Sequence, residues 1–418
     1  MKRNYYLLIL IFLVFFVISF LTNILGSINP NVSDSYKLSG AMTGMLPFSF
    51  FIAYALMSIP AGMVVQKYRE KISMTGAFLL AMAGALLFAF YPVYPVFLCS
   101  LFLIGCGMAL LQVTINPLLR VTGGEEHFAF YSVVAQLVFG CASYLSPFVY
   151  AYLVTSLKTP GGTGAFPVLL LARITPPELS WVSIYWLFSF ITLIMVVLML
   201  ASRFPKVERK EDEIVGAWDI HRKLVKRKLV WLYFLGIFAY VGTEQGIANW
   251  ISEFLRTYHG LRPEIEGAHT VAWFWGMLTI GCLLGLVLLK IMDSKIVLRV
   301  FSLAAIIILF FTLLGNTKIT LLGFPALGFC LSVMWSIIFS LALNSIPEYH
   351  GTFSGILCTA IAGGAIIPLI IGQFKDWLGL KPGMFILFIT LGFIFTISIR
   401  AKPLVRNYTI IREKQALH

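Results

Sequence analysis

The sequence predicts an all-α polytopic membrane protein, with twelve transmembrane helices in two pseudo-symmetric six-helix bundles. Three observations predict it. Of the 418 residues, 59% are hydrophobic and only 12% charged, and the mean hydropathy is +0.91, whereas a soluble domain carries about a quarter charged residues. The apolar residues gather in runs of the length that crosses roughly 30 Å of hydrocarbon, about 20 residues per helix. Lys and Arg gather in the short stretches between those runs, as topogenic signals do. A globule of this composition would expose broad apolar surface and aggregate. A soluble enzyme, a nucleic-acid-binding domain and a disordered chain are therefore excluded, despite a net charge of +13.

The first run, 5–29, follows Met1, Lys2 and Arg3 as a signal peptide would. It continues to about Leu25 without a small-residue cleavage site and is expected to be a retained helix. The runs 40–66, 73–91, 95–119, 128–154 and 181–202 complete a first set of six. Residues 165–172 are too short to cross and lie among Gly161, Gly162, Gly164, Pro176 and Pro177, so an external loop near the interface is expected there. The runs 229–255, 268–290, 296–314, 320–344, 352–373 and 382–401 form the second set. The expected division is a bundle over 1–202, a linker over 203–228, a bundle over 229–401 and a tail over 402–418.

With the N-terminus cytoplasmic, 23 of the 31 Lys and Arg residues fall on the cytoplasmic side, which puts both termini inside. The linker carries Trp218, Ile220 and Leu224 among basic residues. That pattern suits a helix on an anionic leaflet and equally a solvated linker. Cys99, Cys106, Cys141, Cys282, Cys330 and Cys358 all lie inside apolar runs, where Cys acts as a small hydrophobe. Neither a disulfide framework nor a zinc site is implied. A repeat joins the halves. Gly62, Lys67 and Glu70 follow the second run at the same offsets at which Gly285, Lys290 and Asp293 follow the eighth. These six are expected to form a cytoplasmic gate, glycine allowing close helix approach and the charges pairing with helix termini. Parallel six-helix repeats build one large class of secondary transporters.

An ionisable side chain at mid-helix costs about 2.5–3.5 kcal/mol on insertion scales, so each one requires a reason. Glu244 is the carboxylate set deepest in a run, flanked by Gly242 and Gly246, with Tyr240 one turn away and Gln245, Asn249 and Trp250 following. Glycines there would permit local unwinding beside a cavity. The functional reading makes Glu244 the cation-coupling group. The plain one makes it a protonated carboxyl packed between helices. Gln112 and Asn116 in the fourth run, and Ser19, Asn23 and Ser27 in the first, form stripes at spacing four. They are candidates for substrate binding or for interhelical hydrogen bonds. Gln136 stands alone in the fifth run. Trp250 and Trp335 are candidates to stack on a sugar ring. Trp273 and Trp275 sit near a span end, as in an interfacial belt. There is no phosphate-binding GxxxxGK[ST] loop, no GxSxG or HExxH motif and no metal-type histidine spacing, so neither ATP drive nor hydrolysis is expected.

Four stretches carry a family resemblance: Pro60-Ala61-Gly62 through Lys67-Tyr68, Asn116-Pro117, Tyr240-Val241-Gly242, and Ser354-Gly355-Ile356-Leu357 with Gly363-Gly364-Ala365-Ile366-Ile367-Pro368. With the twelve runs and the repeat, the chain resembles the major facilitator superfamily, and within it the fucose–galactose–glucose:proton symporter group. The resemblance implies helices 1, 4, 7 and 10 around a central cavity, rocker-switch alternating access and sugar uptake. Its members carry an acid in helix 1, where this chain has Gly26, and a Glu before the helix 4 Asn-Pro, where this chain has Gln112. Coupling would then fall to Glu244, use Na⁺, or be absent.

The expected function is import of a monosaccharide across the bacterial inner membrane by cation symport. Asn23, Gln112, Asn116, Gln136, Gln245 and Asn249 would bind hydroxyls, and Trp250 and Trp335 would stack. No cofactor is expected beyond H⁺ or Na⁺ as coupling ion. The expected partners are the sugar and membrane lipid, not nucleic acid, for a monomer. An exporter of amphipathic compounds, with a broad aromatic and Met lining, is the rival within transport. A non-transporting sensor of the same fold is the rival outside it.

Overall fold

In a computed structural model the chain is all-helical. Residues 5–123, 128–158, 166–204, 218–346 and 349–401 are described, and most of the predicted linker (205–217) and the tail 402–418 lie outside them. The first half comprises α1 (Tyr5–Tyr36), α2 (Gly40–Val65), α3 (Lys67–Phe90), α4 (Tyr94–Gly123), α5 (Phe128–Lys158) and α6 (Glu178–Ala201). The second comprises α7 (Lys228–Ala248, continued by Ile251–His259), α8 (Pro263–Ile291), α9 (Ser294–Leu314), α10 (Thr317–Leu343), α11 (Thr352–Leu378) and α12 (Leu380–Arg400). Among the described residues, eleven of these helices are long and apolar enough to cross a membrane. The remaining one is α7, whose apolar run is diluted by Glu244 and Gln245. Tyr5 and Arg400 mark one end of the bundle, here the terminal end. The opposite end is the far end.

Buried apolar side chains form two clusters, one drawn almost wholly from α1–α6 and the other from α7–α12. Helices in lipid gain little from burying apolar surface against one another, so close packing and interhelical hydrogen bonds hold them together. The repeated segments supply part of this. Lys71 Nζ donates to the carbonyls of Leu200 (2.7 Å) and Ser202 (2.8 Å) at the end of α6. Lys295 Nζ donates to Ala401 O (2.6 Å) at the end of α12. Each lysine satisfies carbonyls that a helix C-terminus leaves free and sits at the negative end of its dipole.

Four local features add to the expected runs or depart from them. The first run continues past Pro30 to Tyr36 and is interrupted at Asn23–Ile24. Residues 40–90 are helical throughout except for a break at Arg69, at φ 64° and ψ 171°. The segment expected as a loop forms a helix over Phe166–Ile174, with Pro167 in the first turn, where its missing N–H costs nothing. Trp218–Val225 is also helical, and Leu224 is fully buried in the second cluster.

The halves pack along α2–α11 and α5–α8, and the described hydrogen bonds and ion pairs that cross between them lie at the far end. Arg256 on α7 pairs with Asp34 on α1. Glu253, itself buried, pairs with Arg256 (2.7 Å) and with Lys375 of α11 (2.6 Å). Asp376 accepts from the N–H groups of Gly40 (2.5 Å) and Ala41 (2.8 Å) at the start of α2, a carboxylate on the positive end of a helix. Lys158 of α5 pairs with Glu264 of α8 at 2.8 Å. Together these contacts seal the far end.

Candidate functional site

Glu244 lies midway along α7 and is half-buried. Tyr240, one turn nearer the terminal end, donates its hydroxyl to Glu244 Oε1 at 2.7 Å. The i,i+4 spacing places the two on one helix face. Tyr240 also lies 6.0 Å from Trp335 of α10, ring centre to ring centre. Glu244 therefore stands where α7 faces α10, with the Tyr240 hydroxyl fixing one oxygen.

The expected unwinding at Gly242 and Gly246 is absent, since α7 is regular through Ala248. A Cβ at Gly242 would lie 2.4 Å from Ile367 of α11, so this glycine serves close helix packing instead. The interruption comes at Asn249–Trp250, one turn further on. There, Asn249 Nδ2 donates to Gln245 O (2.9 Å) and Oε1 (3.1 Å), and Asn249 O accepts from Asn29 Nδ2 of α1 at 3.0 Å. Gln245 and Asn249 are thus joined to each other and to the opposite half, in the seal.

Gly26, at the position where the resemblance placed an acid, belongs to the same seam. A Cβ on it would lie 2.1 Å from Ala248 O, far inside van der Waals contact. Here the backbones of α1 and α7 touch, and no side chain of any kind fits while the far end is closed.

The remaining candidates disperse. Asn23 is buried and donates to Ser143 Oγ of α5 at 2.7 Å, a bond inside the first half. Trp250 is 1% exposed, donates to Pro368 O at 3.2 Å and lies under Lys375 Nζ at 5.4 Å. It packs in the seal rather than offering a free face for stacking. Gln112 is half-buried and Gln136 exposed. The side chain of Asn116 lies outside the described residues. Trp335 is half-buried and borders a cavity of about 360 Å³ together with Ser336, Phe339, Ser340, Leu343 and Asn344 of α10.

Of the six residues expected to gate the terminal end, Gly285 packs within its own half, where a Cβ would lie 2.2 Å from Val333 of α10. Asp293 caps α9 by accepting from Lys295 N at 2.9 Å. Gly62 and Glu70 are buried, and Lys67 and Lys290 exposed. The helix-terminus pairing expected of the repeat is made by the neighbouring Lys71 and Lys295. Sequence reasoning missed Phe339 and Ser340, whose signal was the spacing of four from Trp335 and Ser336. It also missed the seal charges Asp34, Glu253, Arg256, Lys375 and Asp376. They sit at span ends, where charge is ordinary and spacing carries no pairing information.

Residues 11–368 match the family model described as Major Facilitator Superfamily. The chain is 32% identical over 396 residues to a glucose/galactose transporter of Brucella abortus biovar 1 (strain 9-941), covering 91% of this chain and 90% of that protein. It is 24% identical over 391 residues to the L-fucose-proton symporter of Escherichia coli (strain K12), covering 88% and 86%. The crystal structure of the E. coli fucose:proton symporter FucP aligns with a TM-score of 0.67 at 20% identity, over 94% of this chain and 98% of that one, a likeness of fold. These relatives are transporters, not enzymes. The chain is a multi-pass membrane protein that belongs to the major facilitator superfamily.

Proposed function

We propose that this protein imports a monosaccharide across the bacterial inner membrane by alternating access, coupled to a cation, H⁺ or Na⁺, through Glu244. The observation that carries the proposal is the carboxylate itself: half-buried at mid-span and held by Tyr240, whose ring lies 6.0 Å from that of Trp335. A carboxylate in the membrane interior is costly unless it faces a wet cavity or carries a proton or cation. The similarity to glucose/galactose and fucose carriers supports a sugar as the solute.

In this account the terminal end is cytoplasmic, following the distribution of Lys and Arg. The conformation is then open to the cytoplasm and sealed outside. The ring of Trp335 covers the C–H face of the sugar, and Gln112 of α4 binds hydroxyls from the opposite half. Glu244 takes a proton or cation when the far end is open and releases it to the cytoplasm. With Gly26 in helix 1 and Gln112 in helix 4, the family's acid positions are vacant, and charge movement falls to the second half. Gln245 and Asn249 act at the seal instead, joining the coupling segment of α7 to α1.

Purified protein in proteoliposomes tests this directly. Under an inward H⁺ or Na⁺ gradient it should accumulate radiolabelled D-glucose or D-galactose, and the same sugars should raise its thermal stability by ligand linkage. Failure of any hexose, deoxyhexose or amino sugar to accumulate or to stabilise the protein would overturn the substrate class.

A further inference from the structure

Beyond the residues assigned above, the half of α10 nearer the terminal end has an unusual surface. Two stripes run side by side along it, each at spacing four. One is Trp335, Phe339 and Leu343, and the other is Ser336, Ser340 and Asn344. Together these six line an open groove of about 360 Å³ along one helix face.

The first stripe is an aromatic ladder. The rings of Trp335 and Phe339 are stacked at 15° with centres 6.0 Å apart, and Tyr240, the residue holding Glu244, lies 6.0 Å beyond Trp335. The second stripe is polar and open: Ser336 and Ser340 are exposed. Asn344 Nδ2 reaches Ser340 Oγ at 3.4 Å, a long contact that a ligand hydroxyl can replace. Helix geometry keeps the stripes parallel, because residues four apart stack on one face. An apolar flat face beside a row of hydroxyl and amide groups matches the two faces of a pyranose, C–H on one side and O–H at the rim.

We propose that Phe339, Ser340, Leu343 and Asn344 form a second sugar subsite, a staging position between the Glu244–Trp335 site and the terminal mouth. The inference rests on the reading of this protein as a sugar carrier. A sugar leaving Trp335 moves one helical turn, about 5.4 Å, onto Phe339. It exchanges the Ser336 contact for Ser340 and Asn344 without losing its stacking surface or returning fully to water. A staging position of this kind lowers the barrier between main site and solution. It acts equally on entry and exit and leaves the affinity of the main site unchanged.

The test uses full-length protein and D-galactose, with three variants: Phe339→Ala, Asn344→Leu and the conservative Phe339→Tyr. Counterflow in proteoliposomes reports the exchange rate, and equilibrium dialysis of the purified protein reports the main-site Kd. Phe339→Ala and Asn344→Leu should slow counterflow about threefold or more, a change of rate rather than affinity. Their Kd should stay within about twofold of wild type, and Phe339→Tyr should keep the wild-type rate. Unchanged counterflow in both Phe339→Ala and Asn344→Leu would overturn the staging subsite, and so would a rise in Kd parallel to the loss of rate. If wild-type protein binds neither D-galactose nor any other sugar, the carrier reading falls and the subsite with it. Binding by wild type with rate-silent variants removes the subsite alone.

Discussion

A single residue, Gly26, shows how a side chain's absence can be structural. Its hydrogen faces the carbonyl of Ala248, and a methyl group there would lie 2.1 Å from that oxygen. Gly26→Ala should therefore destabilise this conformation by about 1–3 kcal/mol, as overpacking does elsewhere. A drop in the thermal midpoint of the purified protein would register it, and an unchanged midpoint would show that the seam yields. Trp335 tests the other side of the site. Trp335→Ala removes a stacking surface of about 1 kcal/mol and should weaken sugar binding roughly fivefold, with Trp335→Phe in between, as read by equilibrium dialysis. At this scale the sequence was partly legible. Glu244 declared itself because a carboxylate in an apolar run has few explanations. Asn23, Asn249 and Trp250 looked equally suited to substrate, yet the Ser143 hydroxyl, the Gln245 carbonyl and the Pro368 carbonyl already occupy their side chains. Residue type gives a side chain's bonding capacity but not the partner that fills it.

Among the elements, the ends of α1, α2, α7 and α11 form a seal whose members differ in burial and hence in energetic weight. Asp34 is 62% exposed, and pairs of that kind contribute about 0–1 kcal/mol, so Asp34→Asn should leave thermal stability nearly unchanged. Glu253 is only 5% exposed and holds Lys375 at 2.6 Å. Lys375→Met removes one of its two partners and should cost about 1–3 kcal/mol, the penalty of a buried polar group left under-satisfied. A comparison of the two variants by thermal unfolding checks the contrast, and equal effects would contradict it. The seal also leaves Ser27 Oγ and Asn29 Oδ1 buried without a hydrogen bond, a cost of this conformation that opening to water would relieve. Helix existence was readable from apolar run length. The interruptions at Asn249–Trp250 and Ser332–Val333 were not, because the groups that donate to the carbonyls there come from other helices. Cys282 Sγ, for example, donates to Ser332 O at 3.2 Å.

For the molecule as a whole, two buried clusters meet along α2–α11 and α5–α8, with the polar contacts between them gathered at the far end, where alternating access needs contacts that can be exchanged. Lys71 of α3 and Lys295 of α9 each dock on the end of the last helix of their own half. The matched offsets of Gly62, Lys67 and Glu70 with Gly285, Lys290 and Asp293 are the sequence's own sign of two related halves. The closed end was not legible, since a sequence does not choose between two conformations a few kcal/mol apart. Cysteine labelling tests the state described. Ser340→Cys should react with a membrane-impermeant maleimide applied from the terminal side, and Thr43→Cys, buried beside Ser39 in the seal, should resist reagent from the far side. The reverse pattern would show that the far end is the open one in the membrane.

The central claim is that Glu244 couples sugar movement to a cation. The most direct measurement compares gradient-driven accumulation with counterflow of D-galactose in proteoliposomes bearing wild type or Glu244→Gln. The neutral, near-isosteric amide should abolish accumulation under either an H⁺ or a Na⁺ gradient while sparing counterflow, because exchange needs the binding site but no cycle of charge. Accumulation by Glu244→Gln at the wild-type level would contradict the account.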